Sequence, residues 1–269
     1  MVPNNGCGEH AKPLLAATEV TFAYTASRWI LREISLGLGS GTMTAVIGAN
    51  GSGKSTLLRV LAGLLTPSSG VVCFREDPIL SVSRTQLARG LAYVPQTLSV
   101  VFPFTALEVV VTGRTPYTSR FHFENPTDRA KAMHALDTVG VAHLAGRRMT
   151  QLSGGERQLV SFARALAQEP ECVLLDEPSS GLDLKHRAEM IRVLRRQCQR
   201  AGMTVLMVTH DLQLLDPAFD RVLALCGGVL EADGPPEEVL KQSVLARVYA
   251  DDSIRSRKLG QRTLVWSEA

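Results

Sequence analysis

A glycine-rich segment is the feature that most limits how this chain of 269 residues can fold. Residues 48–55 read GANGSGKS, which matches the pattern G-x-x-x-x-G-K-[ST]. The segment lies between an apolar run that predicts a buried strand, residues 43–48, and a run that predicts a helix, residues 54–65. Glycines let backbone amides turn towards an anion, and the positive end of the following helix points to the same place. The pattern therefore predicts a P-loop that binds a nucleoside triphosphate.

The P-loop supplies the first set of candidate binding residues. Lys54 is expected to reach the β- and γ-phosphates, and the hydroxyl of Ser55 is expected to ligate Mg²⁺. A simple glycine turn that caps a helix is the alternative, but such a match arises by chance in roughly 1% of chains of this length. The predicted nucleotide-binding residues of this segment are Gly48, Asn50, Gly51, Ser52, Gly53, Lys54, Ser55 and Thr56.

A second apolar run ends in two acidic residues. Residues 172–175 predict a buried strand, and Asp176 and Glu177 follow it directly. Asp176 lies 122 residues after Lys54. Asp176 is expected to hold Mg²⁺, directly or through water. Glu177 is the candidate for polarising the attacking water, because a carboxylate there would face the γ-phosphate. A solvated loop acid is the alternative for Glu177.

Charge and composition exclude several classes of protein. Lys and Arg number 29 against 26 Asp and Glu, a formal net charge of +3, which is small for a nucleic-acid coat; we expect no nucleic-acid partner. No apolar run approaches the roughly 20 residues of a membrane helix, and the N-terminus does not read as a secretion signal. The five cysteines form no C-x-x-C pair and are expected to be free thiols. These features predict a soluble, cytosol-type chain.

Strand-like and helix-like segments alternate, which predicts an α/β fold with a mainly parallel sheet. Two β-rich runs, 19–24 and 30–38, predict an antiparallel pair at the start, and the region of about 97–157 predicts a helical insertion. Residues 221–231 predict a hairpin. The pattern indicates one domain, residues 15–250, between an N-terminal tail, 1–14, and a polar C-terminal tail, 251–269.

One further motif narrows the family. Residues 152–158 read LSGGERQ and resemble the signature motif of ATP-binding cassette (ABC) ATPases. Ser153 of this motif lies 23 residues before Asp176. Residues 93–96 (YVPQ), 179–183 (SSGLD) and 208–211 (VTHD) resemble the Q-loop, the D-loop and the switch histidine of that family. The resemblance covers about residues 15–250. It implies a P-loop NTPase (RecA-like) core with an N-terminal antiparallel β subdomain and an inserted α-helical subdomain.

The resemblance also implies roles for single residues and a dimer. ATP and Mg²⁺ are the implied cofactors, with Ser55, Gln96 and Asp176 as metal ligands. The implied partner is a second copy in a head-to-tail dimer, in which the helix end at 153–155 faces the partner's ATP. Ala49 and Leu159 differ from the residues usual in the family, but neither difference removes a phosphate ligand. The implied catalytic residues are Glu177, His210 and Gln96, and the further nucleotide-binding residues are Tyr24, Ser153, Gly154, Gly155, Asp176 and Asp183.

The segment 103–117, with GRTPY at 113–117, resembles the subfamily that powers import of iron–siderophore complexes, haem and cobalamin. That resemblance implies an integral-membrane permease and, indirectly, an extracytoplasmic substrate-binding protein, with this chain peripheral at the cytoplasmic face of the inner (plasma) membrane. Phe102, Phe104 and Tyr117 are expected to anchor the permease. A zinc or manganese importer and a soluble ABC ATPase in iron–sulfur cluster assembly are the alternatives.

Overall fold

The computed structural model describes residues 12–25, 28–97, 103–117, 125–260 and 262–268. The strands are β1 (Leu15–Thr25), β2 (Arg28–Leu38), β3 (Met43–Ile47), β4 (Ser69–Phe74), β5 (Asp77–Pro78), β6 (Leu91–Val94), β7 (Cys172–Asp176), β8 (Thr204–Val208), β9 (Arg221–Cys226), β10 (Val229–Gly234), β11 (Ile254–Leu259) and β12 (Arg262–Ser267). The α-helices are α1 (Lys54–Leu61), α2 (Arg84–Gly90), α3 (Ala106–Val111), α4 (Pro126–Thr138), α5 (Gly154–Ala167), α6 (Leu184–Ala201), α7 (Pro236–Val239) and α8 (Gln242–Tyr249).

The central sheet has six strands in the order β10-β9-β3-β8-β7-β6. The pairs of β3 with β9, β3 with β8, β8 with β7 and β7 with β6 are parallel, and only β10 pairs antiparallel, with β9. Every residue of β3, β7 and β8 is buried, because both faces of this sheet are covered, and such strands read as continuous apolar runs. The loops that follow these three strands therefore meet at one edge, where ligands bind in α/β sheets.

An antiparallel sheet in the order β2-β1-β4-β5 packs on the other side of α1. The register pairs Leu15 with Leu38 and Thr25 with Arg28, so that β1 and β2 form the antiparallel pair expected from the sequence. Val20, Leu31 and Ile34 of this sheet and Leu57 and Leu61 of α1 share one apolar cluster. This packing fixes the hairpin end of β1 beside the start of α1.

Helices α3 and α4 lie within the helical insertion expected at about 97–157, whose described residues contain no strand, and α5 continues the helical part beyond that range to Ala167. Thr105 and Glu108 form a capping box at α3, and Asn125 caps α4 directly before Pro126. Leu136 of α4 and Phe162 of α5 join the same apolar cluster as β3, β7 and β8. The insertion is therefore packed on the core rather than tethered to it.

The chain after β10 contains more structure than the sequence predicted. Helices α7 and α8 follow β10, and β11 and β12 form an antiparallel hairpin within the segment for which only a polar tail was expected. Gln213 donates from Nε2 to the carbonyl of Val265 at 2.6 Å, and Thr263 donates to Asp216 at 2.8 Å. The hairpin is thus fastened to the short turn after β8. None of the helices in the described part of the chain has the length and apolar character needed to span a membrane.

Candidate active site

The P-loop connects β3 to α1 in a conformation that requires glycine. Gly48 and Gly53 have φ angles of 149° and 106°, which other residues rarely adopt. A Cβ atom on Gly48 would collide with the carbonyl oxygen of Leu225, and one on Gly53 would lie 2.9 Å from the carbonyl oxygen of Ile30. The loop therefore wraps closely against β2 and β9 and leaves a space above the start of α1.

This space is a cavity of about 640 Å³ formed by five separate stretches of the chain. It brings together most of the nucleotide-binding and catalytic residues predicted from the sequence. Arg28 and Ile30 also line it, and sequence reasoning missed both, although Arg28 pairs with Thr25 at the hairpin beside Tyr24. The full lining is Tyr24, Arg28, Ile30, Asn50, Gly51, Gly53, Lys54, Ser55, Thr56, Gln96, Glu177 and His210.

The P-loop has the features of an anion cradle. Lys54 is buried, and its Nζ donates to the carbonyl oxygens of Gly48 and Ala49, both at 2.9 Å. Burial lowers the pKa of Lys54, while Glu177 and Asp176 oppose that effect. The hydroxyl of Ser52 is buried without a hydrogen-bond partner in the described part of the chain. An amino group resting on the loop's own carbonyls and an unsatisfied hydroxyl both suit a phosphate.

Asp176 and Ser55 supply oxygen ligands of the kind that Mg²⁺ prefers. Ser55 donates from Oγ to Oδ1 of Asp176 at 2.9 Å, and the Tyr93 hydroxyl donates to Oδ2 at 3.3 Å. Burial raises the pKa of Asp176, and these two hydrogen bonds oppose the rise. A hydroxyl and a carboxylate side by side at the foot of the cradle therefore fit a magnesium ion. Tyr93 is a neighbour that the sequence did not single out for this purpose.

Glu177 lies between the two residues expected to act with it. Its Oε2 accepts a hydrogen bond from Nε2 of Gln96 at 2.9 Å, and its Oε1 lies 2.8 Å from Nε2 of His210. The backbone of Glu177 has φ of 49°, in the left-handed region, and its amide donates to the carbonyl of Val208. The three side chains thus converge on the mouth of the cradle. Gln96 is engaged with Glu177 here, rather than with the oxygens of Asp176 and Ser55.

Two tyrosines border the cradle. Tyr24 is 56% exposed, stands edge-on to Phe22 with ring centroids 4.9 Å apart, and lies 3.4 Å from Thr56 through its hydroxyl. An exposed aromatic face on the cavity suits stacking by a planar base. Tyr249, at the end of α8, is partly buried, which raises its pKa, and a hydrogen bond with the backbone of Gly48 opposes that rise. No local sequence signal marks Tyr249, because it approaches the P-loop from a helix 200 residues away.

The remaining predicted binding residues lie outside the cavity. Ser153 caps α5: its Oγ accepts from the amide of Glu156 at 3.2 Å, and Glu156 accepts from the amide of Ser153 at 2.7 Å. Ser153 and Gly154 are exposed, and Gly155 approaches the D-loop so closely that a Cβ atom would lie 3.1 Å from the carbonyl of Gly181. We call Ser153, Gly154 and Gly155 the signature end of α5.

Asp183 lies beside the signature end in the chain's D-loop, at the start of α6. Its Oδ1 accepts a hydrogen bond from the amide of His186 at 2.9 Å and lies at the same distance from Nδ1 of that residue. The structure therefore divides the predicted residues into two groups. One group encloses the cavity, and the other forms an exposed helix end and its neighbouring loop.

The model of the ABC transporter family matches residues 31–180 of this chain. The hemin import ATP-binding protein HmuV of Nocardia farcinica is 43% identical over 224 residues, which cover 83% of this chain and 76% of that protein. The cobalamin import ATP-binding protein BtuD of Halobacterium salinarum is 39% identical over 220 residues, which cover 82% of this chain and 55% of that protein.

Solved structures agree with the sequence comparison. A metal-chelate type ABC transporter in an inward-facing conformation superposes with a TM-score of 0.78 at 29% identity, over 94% of this chain and 95% of that one. A dimeric bacterial ABC transporter cassette superposes with a TM-score of 0.75 at 27% identity, over 82% of this chain and 98% of that one. These similarities confirm the predicted P-loop NTPase core with its antiparallel β subdomain and helical insertion.

Proposed function

The chain belongs to the ABC transporter family of ATPases, and from that premise we propose that it powers import of haem, another iron chelate or cobalamin through a separate membrane permease. The observation that carries the proposal is the division of the predicted residues between the cavity at the P-loop and an exposed helix end. A chain with one phosphate cradle and a second, exposed helix N-terminus suited to an anion is able to share ATP with a second copy.

ATP binding is assigned to the cavity. Tyr24 would stack on the adenine, and Lys54 would leave the loop carbonyls to contact the β- and γ-phosphates. The hydroxyl of Ser55 and the carboxylate of Asp176 would hold Mg²⁺, and Gln96 would be a further ligand. Bound Mg²⁺ supplies positive charge to the phosphate oxygens as the γ-phosphoryl group departs.

Hydrolysis is assigned to Glu177. Its carboxylate lies at the mouth of the cradle, held from two sides by Gln96 and His210, and it is positioned to accept hydrogen bonds from a water molecule. When ATP enters, His210 is available to exchange its contact with Glu177 for one with the γ-phosphate. In this proposal Glu177 orients the water, and His210 changes its contact when the γ-phosphate is present.

A head-to-tail dimer is the proposed working form. The signature end of one chain would place its amides and the Ser153 hydroxyl against the γ-phosphate held by the other chain's P-loop, with Asp183 next to this contact. ATP would then stabilise the closed dimer, and loss of the γ-phosphate would weaken it. A ligand that binds one of two states more tightly shifts the population in this way.

The permease is expected to dock on the helical subdomain. Phe104 and Tyr117 are exposed by 49% and 38%, which suits them as apolar anchors, and Phe102 lies outside the described residues. Arg114 of the same segment is 4% exposed and so cannot contact a permease, contrary to a docking role for the whole GRTPY segment. Docking would place the chain at the cytoplasmic face of the inner membrane.

The cargo proposal rests on the relatives that import hemin and cobalamin. A siderophore is the less supported member of the same group, and an extracytoplasmic binding protein would deliver the cargo to the permease. The zinc or manganese importer and the iron–sulfur assembly ATPase remain the competing functions.

Reconstitution tests the proposed function. The chain and its cognate permease are placed in proteoliposomes, and ATP hydrolysis is measured with the binding protein loaded with hemin, cobalamin or zinc. We expect hydrolysis to rise with hemin or cobalamin and cargo to enter the vesicles. Stimulation by zinc alone would favour the metal-ion importer, and a chain that does not bind the permease would favour the soluble ATPase.

A further inference from the structure

The GRTPY segment, residues 113–117, is the sequence motif that ATP binding and hydrolysis leave unexplained. It forms a single short helical stretch after α3. A Cβ atom on Gly113 would collide with the carbonyl oxygen of Arg164, so that only glycine permits this close approach to α5. The motif therefore lies directly against the helix that carries the signature end.

Arg114 holds the C-terminal end of α5. Its Nη1 donates to the carbonyl of Ala167 at 2.7 Å and to Glu169 at 2.9 Å, and its Nε donates to Asp128 of α4 at 3.0 Å. Lys131 of α4 donates to the same carboxylate of Glu169 at 2.7 Å. A buried cation at the negative end of a helix is favourable, and here it also joins α4 to α5.

Tyr117 connects the same end of α5 to the core. Its ring centroid lies 4.0 Å from Cζ of Arg114 and 5.4 Å from Cζ of Arg89 in α2. Its hydroxyl lies within hydrogen-bond distance of the carbonyls of Gln168, at 3.1 Å, and Arg89, at 3.3 Å. The ring therefore contacts one guanidinium group from the helical subdomain and one from α2, where cation–π attraction adds to the hydrogen bonds, and the rest of the ring is exposed.

Gln168 completes the connection. Directly after α5, it donates from Nε2 to the carbonyls of Ala88, at 2.5 Å, and Leu91, at 2.8 Å, where α2 ends and β6 begins. Strand β6 leads to Tyr93, which contacts Asp176, and then to Gln96, which contacts Glu177. We call Arg114, Tyr117 and Gln168 the α5 clamp. It joins the root of the signature helix to the strand that leads into the catalytic site.

We propose that Arg114 and Tyr117 are positioning residues that set the direction in which α5 presents its signature end to a second copy's ATP. This inference rests on the proposed dimer. At 1.5 Å per residue, the 14 residues of α5 span about 20 Å, so a tilt of about 10° at the clamp moves Ser153 by about 3.5 Å. A displacement of that size breaks a hydrogen bond to a phosphate. The clamp touches neither ATP nor the reacting atoms.

The test uses ATP-dependent dimerisation of the full chain carrying Glu177→Gln, which should bind ATP without hydrolysing it. Dimerisation is measured by sedimentation, and ATP affinity is measured separately at protein concentrations where the chain is monomeric. Tyr117→Phe keeps the ring and removes the hydroxyl; we expect dimerisation to weaken about threefold to tenfold. Arg114→Met should weaken it by more than about tenfold. ATP affinity of the monomer should change by less than about twofold in both.

The matched control is Arg221→Met. Arg221 makes an ion pair with Asp233 at 2.5 Å and donates to the carbonyl of Gly37, all away from α5. Its loss should lower thermal stability without weakening dimerisation. Rescue of dimerisation in Arg114→Lys relative to Arg114→Met would support the positioning role.

Two results would overturn the proposal, and they differ. The first result is that Tyr117→Phe dimerises as strongly as the parent and that Arg114→Met weakens dimerisation no more than Arg221→Met does. The clamp would then be only a structural contact. If the Glu177→Gln parent stays monomeric with saturating ATP, the proposed dimer itself is wrong, and the positioning role falls with it.

Discussion

The two anion-binding helix ends of this chain differ in how completely the chain surrounds them. The start of α1 is closed in by β2, β9, α8 and the residues after β7 and β8, and its side chains are bonded to one another. The signature end of α5 has a capping box, which α1 lacks, and its Ser153 and Gly154 are exposed. The difference teaches that the chain builds one site and only half of another. In the proposed dimer, a second copy would complete the second site.

The largest effect on ATP hydrolysis is expected from a substitution in the cavity at the start of α1. Glu177→Gln should lower the maximal ATPase rate by about 100-fold or more while leaving ATP affinity nearly unchanged, because the amide cannot accept the water's proton. Phosphate release and equilibrium binding of a fluorescent ATP analogue measure the two quantities. Glu238→Gln, at an exposed acid on α7, is the control and should behave like the parent. Hydrolysis that survives Glu177→Gln would remove this carboxylate from the base role.

An intermediate effect is expected from Tyr93. Tyr93→Phe removes the hydrogen bond to Oδ2 of Asp176, which leaves the carboxylate less well oriented towards Mg²⁺. The Mg²⁺ concentration for half-maximal hydrolysis should rise about threefold to tenfold, with ATP affinity in the absence of metal unchanged. Binding of Mn²⁺ followed by electron paramagnetic resonance gives a readout independent of activity. Unaltered metal dependence would show that Asp176 is held without Tyr93.

The smallest effect is expected from removing the capping box of α5, which can be compared with the similar capping box of α3. Glu156→Ala and Glu108→Ala each remove one capping box, at α5 and at α3, and each should lower the melting temperature by about 2–4 °C. Only Glu156→Ala should also reduce hydrolysis, since only α5 ends at the proposed shared site. Equal hydrolysis in the two variants would show that the cap of α5 has no part in it.

The pH dependence of this stabilisation has a definite sign. Hydrogen bonds from the Ser153 amide and hydroxyl lower the pKa of Glu156 from its ordinary value of 4.5. The contribution of Glu156 is therefore fully present above about pH 4.5 and is lost as the pH falls through the lower folded value. The melting-temperature difference between the parent and Glu156→Ala should disappear in that acidic range. A difference that persists there would mean that the ionised carboxylate is not its source.

Much of both helix ends could be predicted from the sequence because their signals are local. The glycines of the P-loop, the apolar run before Asp176 and the cap at Ser153 each act within a few residues of the chain. Glu177 was expected directly after a buried strand, and in the structure Gln96 and His210 follow β6 and β8; parallel pairing brings such positions to one edge. That logic accounts for the convergence of the three side chains.

The residues that the sequence did not reveal depend on contacts between distant segments. Tyr249 reaches Gly48 from α8, and Tyr93 reaches Asp176 across two paired strands. In the sequence Arg114 is a charged residue with no nearby signal of burial, and its ion pairs with Asp128 of α4 and with Glu169 after α5 exist only in the folded chain. The hairpin of β11 and β12 has a polar sequence and gains its place from the turn after β8.

Mixed dimers test the central claim most directly, because they ask which chain completes which site. One dimer pairs a chain carrying Lys54→Ala with a chain carrying Ser153→Arg; another pairs the double variant with the unmodified chain. Sharing between copies leaves one intact site in the first dimer and none in the second. We therefore predict measurable ATP hydrolysis, up to about half that of the parent when the sites act independently, from the first dimer only. Hydrolysis by the second dimer and none by the first would contradict the account, since each chain would then use its own signature end.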